Sequence, residues 1–323
     1  MACFDVFNGD ADGLCALHQL RLAEPRDATL ITGAKRDIAL LARVPCAADA
    51  KVTVLDVSLE RNRDALLALL QCGAQVDYFD HHYAGDVPHQ PGLRAHLSGD
   101  AQVCTSMLVD SHLDGAHRAW AVVGAFGDNL GESAGRLAAS LDMPPGRMAA
   151  LRELGECLNY NAYGDSETDL FMAPADLYRS MRRHRDPWRF IDHEPVLAAI
   201  RDGRTRDMAL AQRIRPYAQN AGGRAYILPD APWSRRVRGA WGNHLAASSP
   251  TVAHALLTTG ADGTYVVSVR APLNDLRGAE QLCRQFPTGG GRAAAAGIDQ
   301  LKQERLADFV RAFDKMYSRR DPP

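Results

Sequence analysis

Short apolar runs alternate with helically spaced apolar positions through the N-terminal part of the chain. Cys3–Phe7, Ala28–Thr32, Lys51–Asp56 and Gln75–Phe79 have strand length and are dominated by β-branched, aromatic and other apolar residues. Between them, Leu14, Leu17, His18 and Leu22 share one helical face, and Leu66, Leu67, Leu69 and Leu70 define another that ends at Gly73. This alternation predicts an α/β fold: a largely parallel sheet with flanking helices. Trp120–Phe126, Leu151–Tyr163, Pro174–Met181 and Pro195–Arg215 follow as expected helices, the last with Val196, Leu197 and Ile200 on one face. A second run of strand signals begins at Ala225–Pro229. Ala253–Thr259 and Tyr265–Arg270 then flank Gly260–Gly263 as an expected hairpin, Leu276–Phe286 has the pattern of a helix, and the alanines after Arg292 that of a helical start. The expected division is 1–194 as a first domain, 195–215 as a linker helix, and 216–323 as a second, smaller α/β domain.

Composition narrows the class. The 323 residues are 46% hydrophobic and 24% charged, with a net charge of −2, which describes a globular chain and excludes a generally basic nucleic-acid coat. Asp5, Asp10 and Asp12 interrupt the stretch where a signal peptide would need an apolar core, and no apolar run is long enough to span a bilayer, so no membrane partner is expected. Seven scattered cysteines without CxxC spacing read as reduced thiols of a cytoplasmic protein. Arginines are dense between Arg179 and Arg238, but lysine is scarce throughout, so compositional bias accounts for them as well as a phosphate-lined groove does.

The candidate chemistry lies where the apolar segments end. The first strand runs into Asn8-Gly-Asp-Ala-Asp-Gly13, the third closes on Asp56, and the fourth on Asp80-His81-His82. The Trp120–Phe126 helix meets Gly127-Asp128-Asn129. One such aspartate is ordinarily a turn or N-cap residue. Four segments ending this way, in phase with the strands, are harder to explain so. In an open α/β sheet the carboxyl ends of strands share one edge, where sites are built. Crowded carboxylates repel one another unless a cation neutralises them, and Asp with one or two His suits divalent ions such as Mn²⁺.

These four ordered motifs resemble those of the DHH phosphoesterases. Ser268-Val-Arg270 and Phe286–Gly297, which contains Gly289-Gly290-Gly291-Arg292, are similar to that family's C-terminal substrate domain. The resemblance implies a metal-dependent phosphoesterase that hydrolyses short oligonucleotides or small nucleotides with a metal-activated water. It implies two Mn²⁺ ions, with Mg²⁺ as the alternative, held by Asp10, Asp12, Asp56, His81 and Asp128. Asp56 would bridge the ions, and Asn8 would be a weaker ligand where relatives carry a stronger one. By the same resemblance, His82 faces the scissile phosphate and Asp80 orients the histidines. Arg270, Gly289, Gly290, Gly291 and Arg292 hold substrate, Arg292 standing where a histidine is usual. A homodimer is compatible with the resemblance. Two other functions fit the same residues: a polyphosphate or pyrophosphate hydrolase, and a nucleotide-binding sensor that lost turnover through Asn8 and Arg292.

Overall fold

The computed structural model describes residues 1–144, 146–260 and 262–318. The chain divides into two compact units, Met1–Asp202 and Gly203–Pro323.

In the first unit the strands β1 (Cys3–Phe7), β2 (Thr29–Ile31), β3 (Lys51–Leu55), β4 (Gln75–Asp80) and β5 (Leu93–Leu97) form a sheet in the order β2-β1-β3-β4-β5. Every pairing is parallel. All five strands therefore end on one edge, as the alternation predicted. Phe4, Val6, Val52, Val54, Val76 and Tyr78 form one buried cluster with Leu66 and Leu69 of α2 (Arg63–Gln71), the helix that joins β3 to β4. Phe7 and Phe79 are buried as well. The helix α1 (Ala11–Ala23) packs beside α3 (Thr105–His112) and α4 (Arg118–Gly127), and α4 packs on α6 (Arg147–Asn161). The short helices α5 (Gly131–Ala138), α7 (Pro174–Met181) and α8 (Pro187–His193) complete the layer. α9 (Pro195–Ala211) contains the point at which the two units divide.

The second unit is a mixed sheet of β6 (Ala218–Gln219), β7 (Gly223–Leu228), β8 (Ala253–Thr259), β9 (Tyr265–Arg270), β10 (Gly289–Gly291) and β11 (Ala295–Leu301), in the order β10-β11-β9-β8-β7-β6. Only β7 and β8 are parallel. Tyr226 and Leu256 form a cluster with Trp241 of α10 (Pro232–Ser248). A second cluster joins Ala255 and Val267 to Leu282 of α11 (Ala279–Cys283) and to Phe309 and Phe313 of α12 (Leu306–Tyr317).

Four expectations need correction. The alanine run after Arg292 was expected to start a helix, but Ala295–Leu301 is a strand paired antiparallel with β9, so sheet pairing overrides alanine's helix propensity. The helix expected over 276–286 shrinks to Ala279–Cys283, because Gly278 at φ +96° takes a conformation no helix accommodates. Strand β5 was not anticipated: its sequence LRAHL has no β-branched residue, and Arg94 and Ala95 are exposed on the sheet edge. Cys46 and Cys72 are joined in a disulfide with Cα atoms 6.0 Å apart, whereas all seven cysteines read as thiols. Their separation of 26 residues carries no sequence signal, and only the folded chain brings them together. Cys15, Cys104 and Cys283 are buried free thiols. Among the described residues no helix is long and apolar enough to cross a membrane.

Candidate active site

The loop after β1 delivers Asp10 and Asp12. Asp10 is the N-cap of α1, its Oδ1 accepting from the amides of Asp12 at 3.1 Å and Gly13 at 3.2 Å. Asp12 lies in the first turn, where the helix dipole favours a carboxylate. Its two oxygens accept from the first amides of α3, Thr105 N at 2.7 Å and Ser106 N at 2.8 Å. Asn8 shapes this turn, its Oδ1 accepting from Asp10 N at 3.2 Å.

Asp56 follows β3 with φ at +58°, a conformation aspartate tolerates better than most residues. Thr105 Oγ1 donates to its Oδ1 at 3.2 Å. His81 Nε2 lies 3.4 Å from Asp56 Oδ1, 3.7 Å from Asp128 Oδ2 and 3.9 Å from Asp12 Oδ2. Asp128 is the C-cap of α4. That end of the helix sits hard against α1, since a Cβ on Gly127 would lie 2.2 Å from Ala11 Cβ. His82 Nδ1 is 2.7 Å from Asp80 Oδ1 and 3.9 Å from Asp56 Oδ1. Asp80 is wholly buried, and its other oxygen accepts from Leu59 N. It fixes His82, and with Nδ1 so engaged Nε2 is the ring nitrogen left for another partner.

These groups line a cavity of about 410 Å³ that includes Asn8, Asp10, Lys35, Asp56, His81, His82 and Asp128. Its electrostatics are strained. Burial first, then the charges of Asp10 and Asp12, push the Asp56 carboxyl well above the usual range. Burial and then Asp12 raise Asp128 to about 6. Burial works in the same direction on Asp10, but the charge and hydrogen bond of Lys35 hold it below its ordinary value. His82 is raised by its bond to Asp80, with burial opposing. Two donor sets have the composition and spacing of a divalent cation site: Asp56 with His81 and His82, and Asp12 with His81 and Asp128. Carboxylate oxygens with one or two imidazoles fit Mn²⁺, and the set with one imidazole also suits Mg²⁺.

Sequence reasoning missed three contributors. Lys35 reaches Asp10 Oδ2 at 2.5 Å and Asn159 Oδ1 at 3.2 Å, and Thr105 supports both Asp12 and Asp56. Lys35 and Thr105 belong to no periodic pattern, and Asn159 is a polar position within an expected helix, although Lys35 is one of only four lysines in the chain. In the second unit, Arg270 ends β9, with Nε donating to Asn243 Oδ1 at 2.8 Å and one terminal nitrogen donating to Ser268 Oγ at 2.9 Å. Gly289–Gly291 form strand β10 against β11, and Arg292, just beyond, is exposed.

No protein-family model and no curated protein matches the chain by sequence. Its fold is shared with solved structures. Exonuclease RecJ bound to manganese superposes with a TM-score of 0.63 at 15% identity, over 99% of this chain and 91% of that one. RecJ of Thermus thermophilus in complex with Mn²⁺ gives 0.60 at 16% identity over the whole of this chain, which spans 53% of that one. The pGpG-specific phosphodiesterase PggH of Vibrio cholerae gives 0.55 at 14% identity, over 98% of this chain and all of that one. The architecture is thus that of RecJ and PggH, and the resemblance to DHH phosphoesterases carried by the four motifs is matched at the level of the fold.

Proposed function

We propose that the protein is a Mn²⁺- or Mg²⁺-dependent phosphoesterase that hydrolyses short oligonucleotides or small nucleotides. One observation carries the reading: carboxylates of Asp12, Asp56 and Asp128, from three separate segments, lie within 3.9 Å of His81 Nε2, beside a cavity that Asp10, His81 and His82 also line. Asp12, Asp56, His81 and Asp128 are the donors for the cation. A divalent ion bound there supplies the charge that acidifies an attacking water and stabilises the departing oxygen. The protein's part is positioning. The start of α3 orients Asp12, Thr105 orients Asp56, and Asp80 aims His82 at the phosphate. In the second unit Arg270 and Arg292, with Gly289, Gly290 and Gly291, are the residues we assign to a substrate phosphate, which guanidinium groups bind bidentately. A linear dinucleotide is the first substrate to test, because PggH is named for pGpG.

The test is a panel of short RNA and DNA oligonucleotides, linear and cyclic dinucleotides, pAp, polyphosphate and pyrophosphate, each incubated with Mn²⁺ and with a chelator. Metal-dependent release of mononucleotides from a short oligonucleotide or dinucleotide is the expected result. Turnover of polyphosphate or pyrophosphate alone would replace this substrate class, and tight nucleotide binding with no turnover would make the protein a sensor.

A further inference from the structure

Lys35 sits where a site built for cations would accept one. Its ammonium lies 2.5 Å from Asp10 Oδ2, 3.2 Å from Asn159 Oδ1 and 3.9 Å from Asp128 Oδ1. Each acceptor is fixed independently. Asp10 is pinned by the N-cap bonds of α1. Asn159 donates its amide nitrogen to Tyr163 Oη at 2.8 Å, which turns its oxygen toward the ammonium. Asp128 is held at the end of α4. The lysine backbone is anchored too: Lys35 N donates to Ala162 O, and the preceding loop lies so close to Gly9 that a Cβ there would meet Gly33 O at 2.2 Å.

The divalent donor sets point the same way. Neither includes Asp10, and both use His81. Asp12, Asp56 and Asp128 all lie 3.4–3.9 Å from His81 Nε2. Around a six-coordinate ion with bonds of about 2.1 Å, neighbouring donors are roughly 3 Å apart and opposite ones roughly 4 Å. A single ring nitrogen ligates one ion. The two donor sets share His81 and so compete for one ion, while the remaining carboxylate, Asp10, lies outside both and belongs to the ammonium.

We propose that Lys35 is the second cation of this centre, so that each chain binds one divalent ion beside a resident ammonium instead of the two ions that the motif resemblance implies. This rests on the phosphoesterase reading and specifies its metal count. An ammonium cannot be chelated away, so Asp10 stays neutralised whatever the metal supply, and only the position at His81 exchanges with solution.

The test is Mn²⁺ stoichiometry by calorimetry, with electron paramagnetic resonance to detect a spin-coupled manganese pair. The unmodified protein and Lys35→Arg, which keeps the charge, are expected to bind one equivalent and to show an uncoupled ion. Lys35→Met and Lys35→Gln remove the charge and are expected to bind a second equivalent at Asp10 and to show the coupled signal. Two neutral variants are used because one substitution can disturb folding where the other does not. Two equivalents in the unmodified protein, or one in both folded neutral variants, overturns the proposal and leaves the phosphoesterase reading standing. No Mn²⁺ bound to any form removes both.

Discussion

Two regions rich in charge solve the problem of charge in opposite ways. Between Arg179 and Arg238 the arginines find carboxylates locally: Arg179 with Asp176, Arg183 with Glu194, Arg201 with Glu153, Arg235 with Asp230, and the buried Arg236 with Asp207. Each of these pairs lies inside one unit, and the solvent-exposed ones contribute little. In the cavity at the end of the first sheet, Asp10, Asp56 and Asp128 crowd around Lys35, His81 and His82, and burial pushes Asp56 and Asp128 up in pKa. The lesson is that density of charged residues marks nothing by itself. Surplus of one sign, held in place by backbone hydrogen bonds, marks a place that waits for a counter-charge.

The most severe way to break the contrast is to remove the carboxylate at its centre. Asp56→Ala is expected to abolish metal-dependent turnover, because Asp56 meets both histidines of the motif and no neighbouring side chain can take its place. The metal-free variant should melt no lower than the parent, since a buried, repelled carboxylate has been deleted. Near-normal Mn²⁺-dependent hydrolysis by Asp56→Ala would show that the chemistry lies elsewhere.

Arg292→Ala and Asp80→Asn are expected to have intermediate effects. A charge-assisted hydrogen bond contributes roughly 1.5–3 kcal/mol, so loss of Arg292 should lower kcat/KM on an oligonucleotide by about ten- to a hundredfold. The loss should fall mainly on KM. A minimal phosphoester should be hydrolysed equally by both proteins, and a matching loss on that small substrate would move Arg292 into the catalytic step. Asp80→Asn removes the carboxylate that holds His82 at 2.7 Å, and an outer partner of this kind is worth about 10–100-fold in activity. In the metal-free variant the His82 titration followed by NMR should move to lower pH, because Asp80 is the first cause of its elevation. An unmoved titration would mean that Asp80 does not govern His82.

Metal should reverse the pH dependence of stability. Asp128 titrates at about 6 in the folded chain against an ordinary 3.8. The metal-free protein therefore binds more protons when folded, and its stability rises as pH falls from about 6 toward 4, by on the order of 3 kcal/mol from this group. Asp56 shifts the same way, while Asp10, held low by Lys35 against burial, opposes it. With Mn²⁺ present the carboxylates must ionise to bind, so stability should fall across that window. Denaturant midpoints with and without Mn²⁺ check this, and parallel curves would mean that the cluster carries no ion.

The parts of this picture that were readable in the sequence are those that obey a period. Strand-end aspartates at 10, 12, 56 and 80 follow from counting apolar runs, because parallel pairing puts every such end on one edge. What escaped has tertiary causes. Lys35 is a lone side chain in a loop, Asn159 lies on a helix distant in sequence, and the amides of Thr105 and Ser106 matter as backbone, which side-chain patterns do not report. Strand β11 shows the converse failure: its opening alanines prefer helix, and the neighbouring β9 decides otherwise.

The smallest expected effect separates structure from binding within the three glycines. A Cβ on Gly289 would lie 1.8 Å from Cys283 O, and Gly291 has φ +140° with Ala296 Cα 2.5 Å from such an atom. Those two are required by the fold. Gly290 has ordinary φ, and a Cβ there meets nothing within 4 Å, so Gly290→Ala should change stability by no more than about 0.5 kcal/mol. Its open space faces outward from the pairing with Gly297, where the absence of both side chains leaves backbone accessible beside Arg292. If a phosphate approaches that backbone, the added methyl should raise KM for an oligonucleotide while the melting temperature stays put. Unchanged KM together with unchanged stability would mean that substrate never reaches β10. The glycines would then be packing residues alone, and the second unit would hold its ligand through Arg270 and Arg292 without them.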